Sequence, residues 1–112
     1  MKVEQQDIQS KGIKFVVRDN EKVVGHAYLY LFHNDLHDEP AGYIEDVYVD
    51  ESYRGTGVGS QLINALLAKA KELGCYKIVG TSREDREKVH AWYERVGFKK
   101  YGFAFRMDLN NE

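Results

Sequence analysis

The apolar residues of this chain change their repeat once, and the change falls on a glycine-rich hexapeptide. Before it, apolar and polar side chains largely alternate, as in strands. After it, Val58, Leu62, Leu66, Ala70 and Leu73 recur at helical spacing, with Ile63 and Leu67 widening the stripe. Side chains alternate across a strand but recur every 3.6 residues on a helix, so the hexapeptide lies where a strand hands over to a helix. It reads Arg54-Gly55-Thr56-Gly57-Val58-Gly59. Glycines at alternate positions permit a tight turn with exposed consecutive N–H groups, and the helix that follows aims its positive dipole end at the same place. Such a turn is a main-chain cradle for a diphosphate.

Two other glycine loops do not fit these letters. A P-loop continues with lysine and then serine or threonine, whereas Ser60 and Gln61 follow Gly59. A dinucleotide fingerprint spaces its glycines Gly-x-Gly-x-x-Gly, and Gly59 falls one position early for that pattern.

The flanking elements follow from periodicity. Residues 1–11 are polar and weakly patterned, compatible with a short strand or a loose arm. Residues 13–18 alternate as a strand, and Asp19-Asn20-Glu21 supplies a turn. A second strand spans 22–32, with Val24, His26, Tyr28 and Tyr30 on one face and Val23, Gly25, Ala27, Leu29 and Leu31 on the other. A polar loop over 33–40 holds the single proline, and 42–50 form a third strand, completing an antiparallel meander. The helix from Val58 stops at Gly74, and 76–81 form a fourth strand. A strand–helix–strand unit of this length implies a parallel pair, so the sheet is mixed. Ser82 and Asp85 read as a capping box for a second helix whose stripe is Val89, Trp92, Tyr93 and Val96, ended by Gly97. Phe103, Phe105, Met107 and Leu109 alternate as a last strand. The expectation is one α+β domain over 1–112, its mixed sheet mostly antiparallel.

Composition narrows the function classes. With 43% apolar and 30% charged residues the chain is an ordinary globular one, and a net charge of −2 with pI near 6.1 argues against a nucleic-acid surface. Nothing resembles a leader or a membrane span, and the lone Cys75 cannot form an internal disulfide, so the chain reads as cytoplasmic. Cys75 lies between a helix stop and a strand, the place of a buried filler. His33, Asp35, His37 and Asp38 crowd one loop without an ordered ligand spacing, and no metal is expected.

Arg86, His90 and Tyr93 fall at i, i+4 and i+7 on the second helix, one shared face bearing a cation, an imidazole and a phenol. These residues, the hexapeptide, the preceding "IEDVYVDESY" and the later "HAWYERVGF" together resemble the GNAT superfamily of N-acetyltransferases over roughly residues 13–110. "GYIEDVYVDESYRGTGVG" with "GCYKIV" resembles glucosamine-6-phosphate N-acetyltransferases, and "REKVHAWYERVGF" with "FAFRMDL" resembles aminoalkylphosphonate acetyltransferases.

The resemblance implies acetyl-CoA as donor and a GNAT-like fold with helices on both sheet faces. It implies that the N–H groups of Gly55, Gly57, Val58 and Gly59 bind the pyrophosphate, with Arg54 presenting its own N–H and its guanidinium, and Thr56 and Ser60 in the same cofactor-binding stretch. Pantetheine pairs along Val47, Tyr48 and Val49, and a backbone N–H near Val47 holds the thioester carbonyl. On this resemblance Glu45 is the base for the acceptor amine, acting directly or through a water, and Tyr93 the acid for the CoA thiolate. Arg86 and His90 are expected to touch the cofactor. Asp46 is expected to point to the other face unless the strand bulges, in which case it binds the substrate ammonium. Arg106 is the candidate grip for a phosphate or carboxylate on the acceptor. Relatives usually have a strand and two helices ahead of the meander, whereas few residues precede Ile13 here, so a shortened front is expected, with a partner subunit or an open cleft in place of the missing wall, and a homodimer as the expected assembly. The implied activity is acetyl transfer to a small primary amine, a phosphate- or phosphonate-bearing one first. Polyamine or peptide-lysine acetylation is the alternative, and a non-catalytic acetyl-CoA sensor is the rival of another class.

Overall fold

The computed structural model describes residues 1–83 and 85–110, in two compact units, 1–80 and 81–112. In the first unit, β1 (Lys11–Asp19), β2 (Lys22–Phe32) and β3 (Ala41–Val49) form the antiparallel meander. α1 (Val58–Glu72) then crosses to β4 (Lys77–Gly80), which pairs parallel to β3, so the sheet is mixed with order β1-β2-β3-β4. Asn20 takes φ +56° in the β1–β2 turn, a left-handed conformation that asparagine tolerates better than most residues.

One face of the sheet carries α1. The helix lays Val58, Leu62, Ile63, Leu66 and Ala70 against a floor of Val24, Ala27, Leu29, Leu31 and Ile44, all buried. Each leucine or isoleucine sealed in this layer contributes roughly 1.5–3 kcal/mol. The helix ends as the sequence implies, with Gly74 at φ +77° and Cys75 N–H donating to Ala70 O at 3.0 Å.

The expected faces of β2 need one correction. Val17 pairs with Gly25 but Arg18 pairs with Val23, so Val24 is an extra residue in a β-bulge. A bulge reverses the alternation locally. Val24, expected beside His26, is 1% exposed in the core, whereas Val23, expected in the core, is 42% exposed.

Gly25 sets how close α1 comes. A Cβ added there would lie 2.7 Å from Val58 Cγ1, 3.1 Å from Tyr48 O and 3.2 Å from Leu62 Cδ1. The first turn of α1 therefore rests directly on the β2 backbone.

In the second unit, α2 spans Glu87–Val96 and stops at Gly97, whose φ is +123°. Two expectations fail here. No capping box forms at Ser82, because the helix starts later, with Arg86 as its N-cap and no side-chain cap bond. Nor, among the described residues, is there a last strand. Phe103, Phe105, Met107 and Leu109 are 81–96% exposed, and among the described residues no strand pairs with them. Alternation equips a segment for a sheet, but the ladder requires a neighbour to supply hydrogen bonds and a face to cover.

Gly25→Ala is expected to lower stability by about 1–3 kcal/mol, because the added methyl drives into Val58 and backbone. Leu66→Ala, which empties a fully buried site, is expected to cost about 2–5 kcal/mol. Urea unfolding of both variants against the parent chain checks the values.

Candidate functional site

The hexapeptide begins where β3 ends, and its base is fastened to the β1–β2 hairpin. Asp50 N–H donates to Val24 O at 2.8 Å. The Asp50 carboxylate caps the short helical turn Glu51–Tyr53, accepting from Ser52 N–H and Ser52 Oγ at 3.3 Å each, and pairs with Lys22 Nζ at 3.2 Å. The bond from Lys22 and then that from the Ser52 backbone hold the Asp50 carboxyl below its ordinary range. Tyr53 donates its hydroxyl to Asp19, and Lys22 sits 5.8 Å from the centre of the Tyr53 ring. The bond to the Asp19 carboxylate, with partial desolvation behind it, pushes the Tyr53 phenol up. Asp19 and Tyr53 are 34 positions apart, so no periodicity could have found this contact.

The turn itself is built from left-handed glycines. Gly55 has φ +80° and Gly57 φ +96°, and a Cβ at either would meet nothing within 4 Å. The cradle is therefore open, and backbone conformation rather than crowding demands glycine. Thr56 N–H donates to Tyr53 O at 3.3 Å, and Thr56 Oγ1 donates to the same carbonyl. Arg54 N–H donates to Glu51 O at 3.3 Å and Arg54 Nε to Val49 O at 3.2 Å. The main-chain N–H of Arg54 is thus used inside the turn, leaving the outer guanidinium nitrogens as what Arg54 offers a ligand.

The first helical bond is Gln61 N–H to Gly57 O at 3.0 Å. Among the described residues, the N–H groups of Gly55, Gly57, Val58, Gly59 and Ser60 have no acceptor. Their positive end is not neutralised locally, since the first turn of α1 holds no acidic residue. This donor set, open and positive, fits a diphosphate.

Beside the cradle the sheet is open. Pairing of β3 with β4 ends at Ile44 and Gly80, while β3 runs on to Val49. Residues 45–49 thus have β2 along one edge and, among the described residues, no strand along the other. The same stretch bulges. Tyr28 pairs with Glu45 and His26 with Tyr48, so Ala27 faces both Asp46 and Val47. Asp46 takes φ +50° at the bulge and is exposed. The alternative in which the strand bulges at Asp46 is the one adopted. Glu45 is half-buried, on the sheet face opposite α1, as are the neighbouring rings of Tyr28 and His26.

The remaining candidates lie in the second unit. Tyr93 is half-buried on α2, its ring 5.1 Å from Trp92 and 5.3 Å from Phe98. His90 is on the same helix, but its Nε2 is engaged with Arg83 O at 2.8 Å. Arg86 precedes the helix as its N-cap, with φ −96° and ψ 69°, so the three side chains do not share one regular helix face. Arg106 lies in the segment without a strand, bound through Nε and Nη2 to Asp108 at 2.8 Å each.

In the loop before β3, His33 Nε2 is 2.8 Å from Asp38 O and His37 stacks on Tyr76. Among the described residues no three His, Cys, Asp or Glu side chains converge as a metal site. Burial pushes the Cys75 thiol up, away from the reactive thiolate. Among the described residues no helix is long and apolar enough to cross a membrane.

Comparison with known proteins gives this geometry a context. The profile of the acetyltransferase (GNAT) family matches residues 2–98. The chain is 43% identical over 68 residues to glucosamine 6-phosphate N-acetyltransferase of Trypanosoma brucei brucei, covering 61% of this chain and 44% of that protein. It is 32% identical over 93 residues to an aminoglycoside N(6')-acetyltransferase of Stenotrophomonas maltophilia, covering 79% of this chain and 61% of that one. A crystal structure of a Trypanosoma brucei acetyltransferase superposes with TM-score 0.79 at 35% identity, over 88% of this chain and 69% of that one. The chain thus spans less than two thirds of the length of these two curated relatives.

The loop's anchors make stability depend on pH at both ends. Asp50 has a lowered folded pKa, so its contribution is complete above the ordinary 3.8 and is lost as pH falls through the lower folded value. Tyr53 has a raised one, so its contribution is complete below the ordinary 10.0 and is lost as pH rises through the higher folded value. Asp50→Asn is expected to flatten the acid limb of the melting-temperature profile, and Tyr53→Phe the alkaline limb. Thermal unfolding across the pH range checks both.

Proposed function

The chain belongs to the acetyltransferase (GNAT) family, and on that premise we propose that it moves the acetyl group of acetyl-CoA to a primary amine of a small molecule by direct transfer. The observation that carries the reading is the row of uncommitted N–H groups at the start of α1, set beside a strand edge that β4 does not pair. Gly55, Gly57, Val58, Gly59 and Ser60 would hold the pyrophosphate, with Thr56 shaping the turn and Arg54 adding its guanidinium. Val47, Tyr48 and Val49 would hold the pantetheine arm, and Arg86 and His90 are proposed as further cofactor contacts. When bound, acetyl-CoA supplies an activated thioester.

The protein's part in the transfer is to move protons and to hold charge. Glu45 takes a proton from the acceptor ammonium, freeing the nitrogen lone pair. A backbone N–H at the bulge, near Val47, holds the oxygen on which negative charge develops, worth about 3 kcal/mol for one well-placed donor. Tyr93 gives a proton to the departing thiolate. Asp46, turned outward by the bulge, binds the ammonium.

A phosphate- or phosphonate-bearing amine ranks first as acceptor, supported by the resemblance to a glucosamine 6-phosphate N-acetyltransferase. Arg106, released from Asp108, is the residue proposed for that anion. A homodimer is part of the reading, supported by the exposed alternating side chains of 103–109. A cytoplasmic location is part of the reading.

The test is CoA release with glucosamine 6-phosphate, an aminoglycoside and a linear diamine as acceptors. At least one is expected to support turnover. Tyr93→Phe and Glu45→Gln are each expected to lower kcat about 100-fold or more with acetyl-CoA affinity unchanged. Glu45→Gln is also expected to move activity to higher pH, where the amine arrives already neutral. Tight acetyl-CoA binding with no turnover by any amine would instead favour a sensor.

A further inference from the structure

We propose that His26 carries away the proton that Glu45 collects, as a positioning residue acting through Glu45. The inference rests on the reading of Glu45 as base. An amine enters as ammonium and leaves as a neutral amide, while the thiolate leaves as a thiol. The ammonium gives up two protons and the thiolate takes one, so one proton per turnover must reach solvent. Glu45 is half-buried, and a base that keeps its proton cannot serve the next cycle.

His26 stands on β2, on the sheet face that Glu45 shares. Tyr28 pairs with Glu45, and His26 is two residues from Tyr28 and pairs with Tyr48 across the bulge. Glu45 and His26 are therefore diagonal neighbours, and such pairs have Cα atoms about 7–8 Å apart. A diagonal pair at that separation leaves room for one water to bridge the two side chains.

The ring is also held in one place. It lies 5.4 Å from the Tyr48 ring at 34° and 5.6 Å from the Tyr28 ring at 79°. Its Nδ1 is sealed and has no hydrogen-bond partner among the described residues. Nε2 is the nitrogen that remains accessible for exchange with solvent. A neutral imidazole receives a proton there through the water and releases it outward, with no net change in the ring. The groups facing His26 within this unit are Lys14 on β1, which lies 5.6 Å over the Tyr28 ring, Tyr28 itself, and Glu45, Asp46 and Tyr48 on β3.

Two experiments decide the matter, and the first needs no acceptor. In NMR spectra at fixed pH with CoA bound, Glu45→Gln is expected to move the His26 ring resonances, as loss of a water-bridged neighbour requires. Unmoved ring resonances overturn the coupling, whatever the protein acetylates. In the second, with the amine that the acceptor panel identifies, His26→Gln is expected to lower kcat about tenfold in dilute buffer. The amine KM and acetyl-CoA affinity should stay unchanged, and added imidazole should restore the rate. Parent kcat in His26→Gln, or a loss that imidazole does not repair in a variant that binds acetyl-CoA normally, overturns the relay. His26→Asn repeats the test if the Gln variant does not fold. An inactive Glu45→Gln beside a fully active His26→Gln removes the relay alone. A fully active Glu45→Gln removes the base assignment on which the relay rests.

Discussion

The contact on which the site depends is the seating of the first turn of α1 on the backbone of β2 at Gly25. Val58 and Leu62 occupy the space that any side chain at Gly25 would need. That approach fixes where the helix begins, and a helix N-terminus is useful to an anion only if it is held still against something rigid. The buried layer from Val24 to Ala70 supplies the rigidity, since it is apolar and close-packed. The cradle is therefore an outcome of core packing, with the N–H row placed by residues that never touch a ligand.

A second set of contacts holds the loop that enters the cradle. Asp50 is bonded by Lys22 and Ser52, and Tyr53 by Asp19, so the β1–β2 turn braces the strand-to-helix turn from outside. These are exposed polar contacts and individually weak. Together they restrict a glycine-rich turn that would otherwise sample many conformations, because two of its glycines are free of steric restraint. On the other side, the bulge at Asp46 and the early end of β4 leave the strand edge open beside the cradle. Ordinary alternation along β2, from Tyr28 opposite Glu45 to His26, leaves Glu45 and His26 on one sheet face.

The sequence made much of this legible, and the gaps have physical causes. The limits of β2 and the start of α1 follow from residues that switch from period two to period 3.6, with glycines at the switch. The mixed topology follows from the length between β3 and β4. Local pattern does not report pairing, so the bulge that exchanges Val23 and Val24 was invisible where two valines in succession suit either face. The segment 103–109 failed for a related reason, since its alternation states a capacity and a strand requires a neighbour. The capping box at Ser82 matched in letters, but the helix begins later, at Glu87. At the candidate site, the glycine turn was readable from its letters, whereas the bracing pair Asp19–Tyr53 joins residues far apart in the chain.

Family membership and an open cradle together lead to the central claim, that the N–H groups at the start of α1 receive the pyrophosphate of CoA. The most direct measurement is an amide-resolved NMR titration of the protein with CoA. The account requires the amide resonances of Gly55, Gly57, Val58, Gly59 and Ser60 to move most at saturation, with the far end of α1 little changed. Saturable binding of CoA that leaves those five amides where they were would contradict it.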